Sequence, residues 1–351
     1  MKIKRLHQFS AGFNPGDAIS NQMLLIQSHC ERYGIKGEIY SENISPSQKK
    51  GFKYRSYSPK KGDCILYHHS IHSGVLDYLL RLDIDIPKIL LYHNVTPHNY
   101  FQNYDLQMTY YLKKGREELK SIKDRFTLNL AVSDFNKAEL ESIGFRDVKK
   151  YPIHLDLNSY PVLEKKSPKN KVHIIFIGRI APNKKQEDLI KFAKIFQELY
   201  QLDFELQLVG YTSKELYGYR DELENLIRYL HLEDRVKICG FLSQEDLGRY
   251  YSQADVFLCM SEHEGFCVPL MEAMHYQIPI VAYSAGAIPE TLGGAGILVQ
   301  EKNFPLIAGI VYKLISDSSF RQKVIRGQIL VYRKYLEYSN LENIFKYISK
   351  I

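Results

Sequence analysis

Residues 173–210 read HIIFIGRIAPNKKQEDLIKFAKIFQELYQLDFELQLVG. The first six are an apolar, β-branched run closed by glycine. From Gln186 to Tyr200 the apolar residues Leu189, Phe192, Ala193 and Phe196 recur at helical spacing, and FELQLVG (204–210) is again strand-like. Strand, charged loop, helix and strand together make a βαβ unit. The same alternation continues outward, through a helix over about 214–230, RVKICGF (235–241), a short helix over about 245–253, ADVFLCM (254–260), IPIVAY (278–283) and AGILVQ (295–300). Such alternation predicts a parallel sheet with helices on both faces.

The first half alternates less cleanly. Its strand-like runs are IKRLHQF (3–9), GEIYS (37–41), DCILYHH (63–69), KILLYHN (88–94) and TLNLAVS (127–133), with helices expected over about 18–33, 74–82 and 104–126. Residues 157–170, LNSYPVLEKKSPKN, are polar, contain prolines and lack apolar periodicity, so the inter-domain linker is expected there. The expectation is an α/β chain of two Rossmann-like doubly wound domains, residues 1–160 and 161–330. A final segment, 331–351, holds an apolar helix near Leu341 that can pack back on the first domain.

Composition agrees with a globular chain: 351 residues, 45% hydrophobic and 25% charged. No apolar run reaches the roughly 20 residues of a spanning helix, and the start, MKIKRLHQFSAGF, lacks the apolar stretch of a secretory leader. A cytoplasmic location is therefore expected. Cys30, Cys64, Cys239, Cys259 and Cys267 are odd in number, widely spaced and without C-x-x-C, which points away from a disulfide framework or zinc knuckle and toward buried thiols.

The net charge of +7 sits mainly in the first half, where residues 1–160 hold 23 Lys+Arg against 17 Asp+Glu. Its densest stretches are Lys49-Lys50-Gly51-Phe52-Lys53-Tyr54-Arg55 and Lys113 to Arg125. Cations interleaved with rings suit an anionic membrane face, while +7 over this length is too weak a field to favour nucleic acid. A plainly solvated face explains the same pattern.

Ligands of doubly wound sheets bind beyond the carboxyl ends of strands. Arg179 follows HIIFIG directly, and Lys184 stands five positions on beside Lys185, at the start of the following helix. An Arg fork and an ammonium there can close on a diphosphate. SEHEGFCVPLMEAM (261–274) again follows a strand and opens a helix, with Pro269 suited to the first turn. Glu264 and Glu272 lie eight apart, and each carboxylate can accept hydrogen bonds from a vicinal diol. Taken singly, each of these residues also has an ordinary structural reading as a surface charge or a helix-dipole partner. The motif Asp83-Ile84-Asp85 precedes a strand, the wrong end for a metal-diphosphate site, and reads as structural. His68-His69 after DCILY and His154 after YPI also read more readily as structural histidines.

The GR-x4-K spacing of Arg179 and Lys184, followed by E-x7-E at Glu264 and Glu272, resembles the family 4 retaining glycosyltransferases of GT-B architecture. The segments VKICGF, ADVFLCMSEHEGF and IPIVAYSAGAIPET stand in the family's order, so the resemblance covers nearly all of residues 171–300. FNPGDAISN (13–21) and LLYHNVTP (90–97) resemble, more weakly, the family's N-terminal glycine loop and its histidine-bearing strand end. The resemblance implies two domains facing across a cleft, a nucleotide-sugar donor held by the second, a glycan or lipid-linked acceptor held by the first, and retained anomeric configuration. It implies that Arg179 and Lys184 neutralise the leaving diphosphate, Glu272 binds the ribose and Glu264 the transferred sugar. Amides of Gly265, Phe266, Cys267 and Val268 would meet the phosphate or sugar, with Gly210 and the stretch from Cys239 to Phe241 lining the base. Gly16, lacking a side chain, would let the backbone of the first domain approach the donor diphosphate from the opposite side, and His93 would lie beside the sugar. Asp17, His93 and His154 are the acceptor-side candidates for handling a proton. No metal or other cofactor is expected. Three positions depart from the commonest pattern: Lys185 and Cys267 stand where glycine is frequent, and the N-terminal loop has the single Gly16.

The GDAISN loop with SEHEGFCVPL resembles mannosyl-transferring members, which favours GDP-mannose over UDP-sugars and a role in surface polysaccharide synthesis. Alternatives of different class are a nucleotide-sugar epimerase of similar fold, or an inactive protein binding nucleotide sugars or anionic polymers. E-x7-E argues against the first, and the intact Arg179, Lys184, Glu264 and Glu272 argue against the second. An NAD-dependent dehydrogenase would need G-x-G-x-x-G after an early strand, whereas Gly293-Gly294-Ala295-Gly296 precedes one.

Overall fold

The computed structural model describes residues 3–156 and 171–348. The chain forms two compact units. One comprises the chain up to His98, Gln107–Asp156 and the C-terminal stretch from Glu337; the other comprises Asn99–Leu106 and the remainder up to Leu336. The expected linker, 157–170, lies outside the described residues.

In the first unit the elements run β1 (Arg5–Phe13), α1 (Ala18–Arg32), β2 (Ile39–Ile44), β3 (Gly51–Lys53), β4 (Asp63–His69) and α2 (Gly74–Leu80). They continue through β5 (Lys88–Tyr92), α3 (Leu106–Ile122), β6 (Leu128–Ala131), α4 (Asp134–Ser142) and β7 (Lys149–Lys150). All neighbouring strands are parallel, in the order β3-β2-β1-β4-β5-β6-β7. Every residue of β4 is buried because it is central and covered on both faces. The chain therefore reverses its direction of travel across the sheet between β1 and β4, a topological switch point.

The second unit repeats the plan with β8 (Val172–Ile177), α5 (Gln186–Leu199), β9 (Phe204–Val209), α6 (Tyr217–Tyr229), β10 (Val236–Gly240), α7 (Gln244–Gln253) and β11 (Val256–Cys259). There follow α8 (Val268–His275), β12 (Ile280–Tyr283), α9 (Ile288–Leu292), β13 (Ile297–Val299), α10 (Phe304–Ser316) and α11 (Ser318–Tyr338). Its six parallel strands are ordered β10-β9-β8-β11-β12-β13, with the switch point between β8 and β11. Arg179 and Lys184 follow β8 and Glu264 follows β11, so topology alone brings those two loops together.

A last helix, α12 (Glu342–Ile348), belongs to the first unit. The Phe345 ring stacks on His29 of α1 at 5.3 Å, and Tyr33 Oη donates to Glu342 Oε1 at 3.0 Å. Among the described residues no helix is long and apolar enough to cross a membrane. All five cysteines are free thiols; four are buried and Cys239 is partly exposed.

Element ends differ from the sequence reading by a few residues. β3, α4 and β7 are too short to show an apolar period: β3 is a three-residue edge strand inside the basic stretch, α4 is a nine-residue helix that buries Leu140, and β7 is two lysines that pair with β6. β1 runs on to Phe13, beyond the expected Phe9, because its far end pairs with β2 through Ile44.

The first unit buries His7, His68, His69, His93 and His154. Burial depresses the pKa of His68 to about 3 and those of His69 and His154 to about 4, and puts His93 well below the ordinary value. On acidification these rings take up protons in the unfolded chain near pH 6.5 but not in the folded one. Each therefore removes up to about 1.4 kcal/mol of stability per pH unit. Stability is complete above pH 6.5 and falls as pH drops from there toward about 4. Unfolding followed by hydrogen exchange should show this unit opening first between pH 6.5 and 4, and His154→Gln should make its pH dependence shallower.

Candidate active site

The loop after β8 leads through Arg179 into a short 3-10 turn, Pro182–Lys184, and then α5. Lys185, at the helix start, has φ +54, a left-handed backbone that glycine adopts without strain. The loop after β11 ends at Cys267, also left-handed with φ +66, and Pro269 occupies the first turn of α8. Both positions where the sequence departs from a frequent glycine are thus left-handed. Glycine is favoured there by the backbone, and lysine and cysteine are held there by their contacts.

Lys185 bonds to Glu187 at 3.3 Å and Glu262 at 3.6 Å. Burial opposes its charge, but the two carboxylates outweigh it and hold its pKa above the ordinary value. The Cys267 thiol meets Cys259, and this hydrogen bond together with burial pushes its pKa well up. One ligand atom each from Cys259, Glu264 and Cys267 falls within 4.8 Å of the others.

The two loops are stitched together. Glu262 N–H donates to the Asn183 carbonyl at 2.9 Å, and Asn183 Nδ2 donates to the His263 carbonyl at 3.2 Å. Lys302 Nζ donates to Asp188 at 2.6 Å and to Glu262 at 2.7 Å. At the centre Lys184 Nζ donates to both carboxylate oxygens of Glu264, each at 2.7 Å. Glu264 is only 8% exposed. Its carbonyl accepts from Ala287 N–H at 2.9 Å, and a Cβ on Gly286, φ +55, would lie 2.4 Å from that same oxygen.

The other expected donor-side residues, Gly16 of the first unit excepted, belong to this unit. Glu272, 5% exposed on α8, accepts from Tyr251 Oη at 2.5 Å. The Phe266 carbonyl accepts from Thr291 Oγ1, which ties the loop to α9. Gly265 and Val268 are half-buried beside it, and Arg179 is exposed, its carbonyl held by Gln186 Nε2 at 2.9 Å. A Cβ on Gly210 would come within 1.9 Å of the Gly178 carbonyl, so only glycine lets the strand end pass there. Phe241, past the end of β10, is 61% exposed.

The acceptor-side candidates divide. Gly16, expected on the donor side from the first unit and not among these candidates, has φ +74 and is exposed. Asp17 caps α1, with Oδ2 accepting from Ser20 N–H at 3.0 Å and from Ser20 Oγ at 2.8 Å, so its carboxylate has a structural task. His154 is buried against the Tyr151 ring, centroids 4.7 Å apart, and near Gln22; this is a core histidine's environment. His93 follows β5, is buried, and contacts His68. Asp83 and Asp85 lie exposed before β5, at its amino end.

Sequence reading missed Asn183, Tyr251, Gly286, Thr291 and Lys302. Tyr251 lies on α7 with no motif around it. Gly286 belongs to the quoted SAGAIPET segment, and its glycine before a proline-started helix was the available signal.

Alanine at Gly286 meets both a backbone clash and a left-handed φ, and alanine at Gly210 meets a backbone clash. Each should destabilise the second unit by about 2 kcal/mol or more. Cys267→Gly should cost less than 1 kcal/mol, because relief of left-handed strain offsets the lost thiol contact. Urea unfolding of the three variants against the parent measures both.

Residues 163–329 match the family described as glycosyl transferases group 1. The chain is 26% identical over 227 residues to O-antigen chain mannosyltransferase B of Escherichia coli, covering 62% of this chain and 58% of that protein. It is 24% identical over 297 residues to the amylovoran biosynthesis glycosyltransferase AmsK of Erwinia amylovora, covering 82% and 68% respectively. Among solved structures it resembles sucrose-phosphate synthase (tll1590) from Thermosynechococcus elongatus, with TM-score 0.79 at 16% identity over 99% of this chain and 98% of that one. It also resembles Anabaena Alr3699/HepE in complex with UDP and glucose, with TM-score 0.73 at 19% identity over 99% and 98%. At such identity these structures speak for the fold, two Rossmann-like units in GT-B architecture. Residues 163–329 thus carry the chain's similarity to the glycosyl transferases group 1 family.

Proposed function

We propose that this chain is a retaining, metal-independent glycosyltransferase that moves a sugar from a nucleotide-sugar donor to a glycan or lipid-linked acceptor in surface polysaccharide synthesis. GDP-mannose is the favoured donor. The observation that carries the reading is the Lys184 ammonium shared by both oxygens of the buried Glu264 at the β8/β11 switch point. The match of residues 163–329 to the glycosyl transferases group 1 family, together with similarity to a protein named O-antigen chain mannosyltransferase B, supports the reaction class and the choice of mannose.

Departure of a nucleoside diphosphate from the anomeric carbon places negative charge on phosphate oxygens. An ammonium has three N–H donors, and Glu264 takes two of those of Lys184. The third is available to a phosphate oxygen, and the exposed Arg179 guanidinium adds a bidentate fork. Glu264 in turn keeps lone pairs for sugar hydroxyls, and charge matching between the two side chains fixes their geometry before a donor arrives. Glu272, oriented by Tyr251, accepts the ribose diol. In this reading fixed cations do the work of a divalent ion, and the Glu264 carboxylate is already balanced by Lys184.

Calorimetry without added metal, on GDP-mannose, UDP-glucose, UDP-N-acetylglucosamine and the parent diphosphates, should show binding to the guanosine series. Glu272→Ala should weaken it about tenfold, while Lys184→Ala should lower kcat about 10²–10³-fold with a smaller effect on affinity. Unchanged kinetics in both variants would sink the site.

The acceptor reading extends to an anionic membrane surface. Lys49, Lys50, Lys53 and Arg55 are exposed around β3, and the exposed Phe52 ring stands among them. Vesicles rich in anionic lipid should carry the protein upward in a flotation gradient at low salt and release it at high salt. Replacing the three lysines with glutamate should abolish flotation; flotation unaffected by these changes would exclude this patch.

A further inference from the structure

Within the first unit three polar side chains line up through a fully covered sheet. Gln8 lies on β1, His68 on β4 and His93 just past β5, on adjacent strands, and all three are buried. Gln8 Nε2 donates to the Met23 carbonyl at 2.8 Å, which turns its carbonyl oxygen toward His68. Gln8 Oε1 lies 3.1 Å from His68 Nε2, and His68 Nδ1 lies 2.9 Å from His93 Nε2.

Donor and acceptor roles along this line follow from one fixed end. Gln8 Oε1 can only accept, so His68 Nε2 carries a hydrogen. Burial keeps the His68 ring neutral, with a pKa near 3, so its Nδ1 is a lone pair. His93 Nε2 must then carry the hydrogen donated to it. A neutral ring with hydrogen on Nε2 bears a lone pair on Nδ1, and His93 Nδ1 is a buried atom with no hydrogen-bond partner among the described residues. An orphaned buried acceptor points to a hydroxyl or N–H that completes it.

We propose that Gln8 and His68 are positioning residues that lock His93 in its Nε2–H tautomer, so that Nδ1 accepts the hydrogen of a sugar hydroxyl. This rests on the transferase reading above for the identity of the ligand, but not for the tautomer itself. The ionisable groups acting on His93 are His68 and His69. His69 is held separately by Tyr67 Oη at 3.2 Å and the Gly115 carbonyl at 3.0 Å, so it stands outside the line. Because all three rings stay neutral, the lock does not change between pH 5.5 and 8.

Two arms test this on the full chain. In the first, nitrogen-15 histidine spectra, with His93 assigned by its loss in His93→Gln, should show protonated Nε2 and unprotonated Nδ1 across pH 5.5–8. Hydrogen on Nδ1 would overturn the lock. In the second, Gln8→Glu places a carboxylate on His68 that favours its imidazolium form. His68 then donates from Nδ1, His93 Nε2 becomes the acceptor, and the His93 hydrogen moves to Nδ1. This variant should acquire an acidic limb in kcat/KM that the parent lacks, with turnover falling about tenfold on that limb. Gln8→Met, which removes the fixed acceptor, should lower turnover at all pH values without the limb. Nucleoside diphosphate affinity, set in the other unit, should stay unchanged in both. A parent-like pH profile in Gln8→Glu, with circular dichroism unchanged, would remove the positioning role. Absence of nucleotide-sugar turnover in the parent would instead count against the transferase reading, with the spectra still deciding the tautomer.

Discussion

A carboxylate that is 8% exposed needs a cation in contact with it, and Glu264 has one only because β8 and β11 are neighbours. Leaving either charge alone at that depth would cost several kcal/mol, so the pair is a condition on the loops rather than an ornament to them. The loops meet it through hydrogen bonds to backbone carbonyls that fix their mutual approach: Glu262 N–H on the Asn183 carbonyl, the Asn183 side-chain Nδ2 on the His263 carbonyl, and Ala287 N–H on the Glu264 carbonyl. The last of these requires the chain before α9 to run against Glu264 so closely that Gly286 has no room for a side chain. Strand order, glycine placement and charge pairing are therefore one constraint expressed at three levels.

That constraint also explains why the second unit was the more legible half. Its strands are nearly continuous apolar runs because both faces are covered, and most of its candidate site residues lie in the loops that follow strands, where sequence order and spatial position coincide. Arg179, Lys184, Glu264 and Glu272 could be singled out as candidates, through their spacing and the resemblance it carries, because two adjacent loops and one helix hold them all. Tyr251 and Lys302 could not. They reach the same cluster from α7 and from beyond β13, at sequence distances no local pattern spans. In the first unit the short edge pieces β3 and β7 are polar, so hydrophobic periodicity is silent over them.

The two left-handed residues show how far a departure from pattern can be read. From sequence alone, Lys185 and Cys267 look like changes bearing on donor choice. Their backbone angles give a nearer cause: each sits where glycine would be unstrained, and each gains a contact that glycine could not make. Lys185 bridges Glu187 and Glu262 from the start of α5, and Cys267 closes on Cys259 at the end of β11. Left-handed strain of about 1–2 kcal/mol is comparable to one such buried contact, so the exchange is nearly neutral for stability. Donor preference is better sought in side chains that line the loops than in these two.

Histidine is where sequence reasoning was least able to separate function from structure. His68, His93 and His154 all follow or end strand-like runs, and spacing treats them alike. Burial treats them alike as well, since each is held neutral by desolvation. His93 and His154 each leave one buried ring nitrogen without a hydrogen-bond partner among the described residues, and what distinguishes the three is the partner of the bonded nitrogen. His68 is bonded at both ends, to Gln8 and to His93, and can do no more than transmit a fixed tautomer. His154 sits in an aromatic and amide environment with Tyr151 and Gln22, far along the chain from any residue of the β8/β11 loops. His93 alone of the three closes one bond of known direction and presents the opposite face as an acceptor. A neutral ring so fixed accepts a hydroxyl hydrogen without first losing a proton to solvent, and that property depends on Gln8, a residue that no motif around His93 reveals.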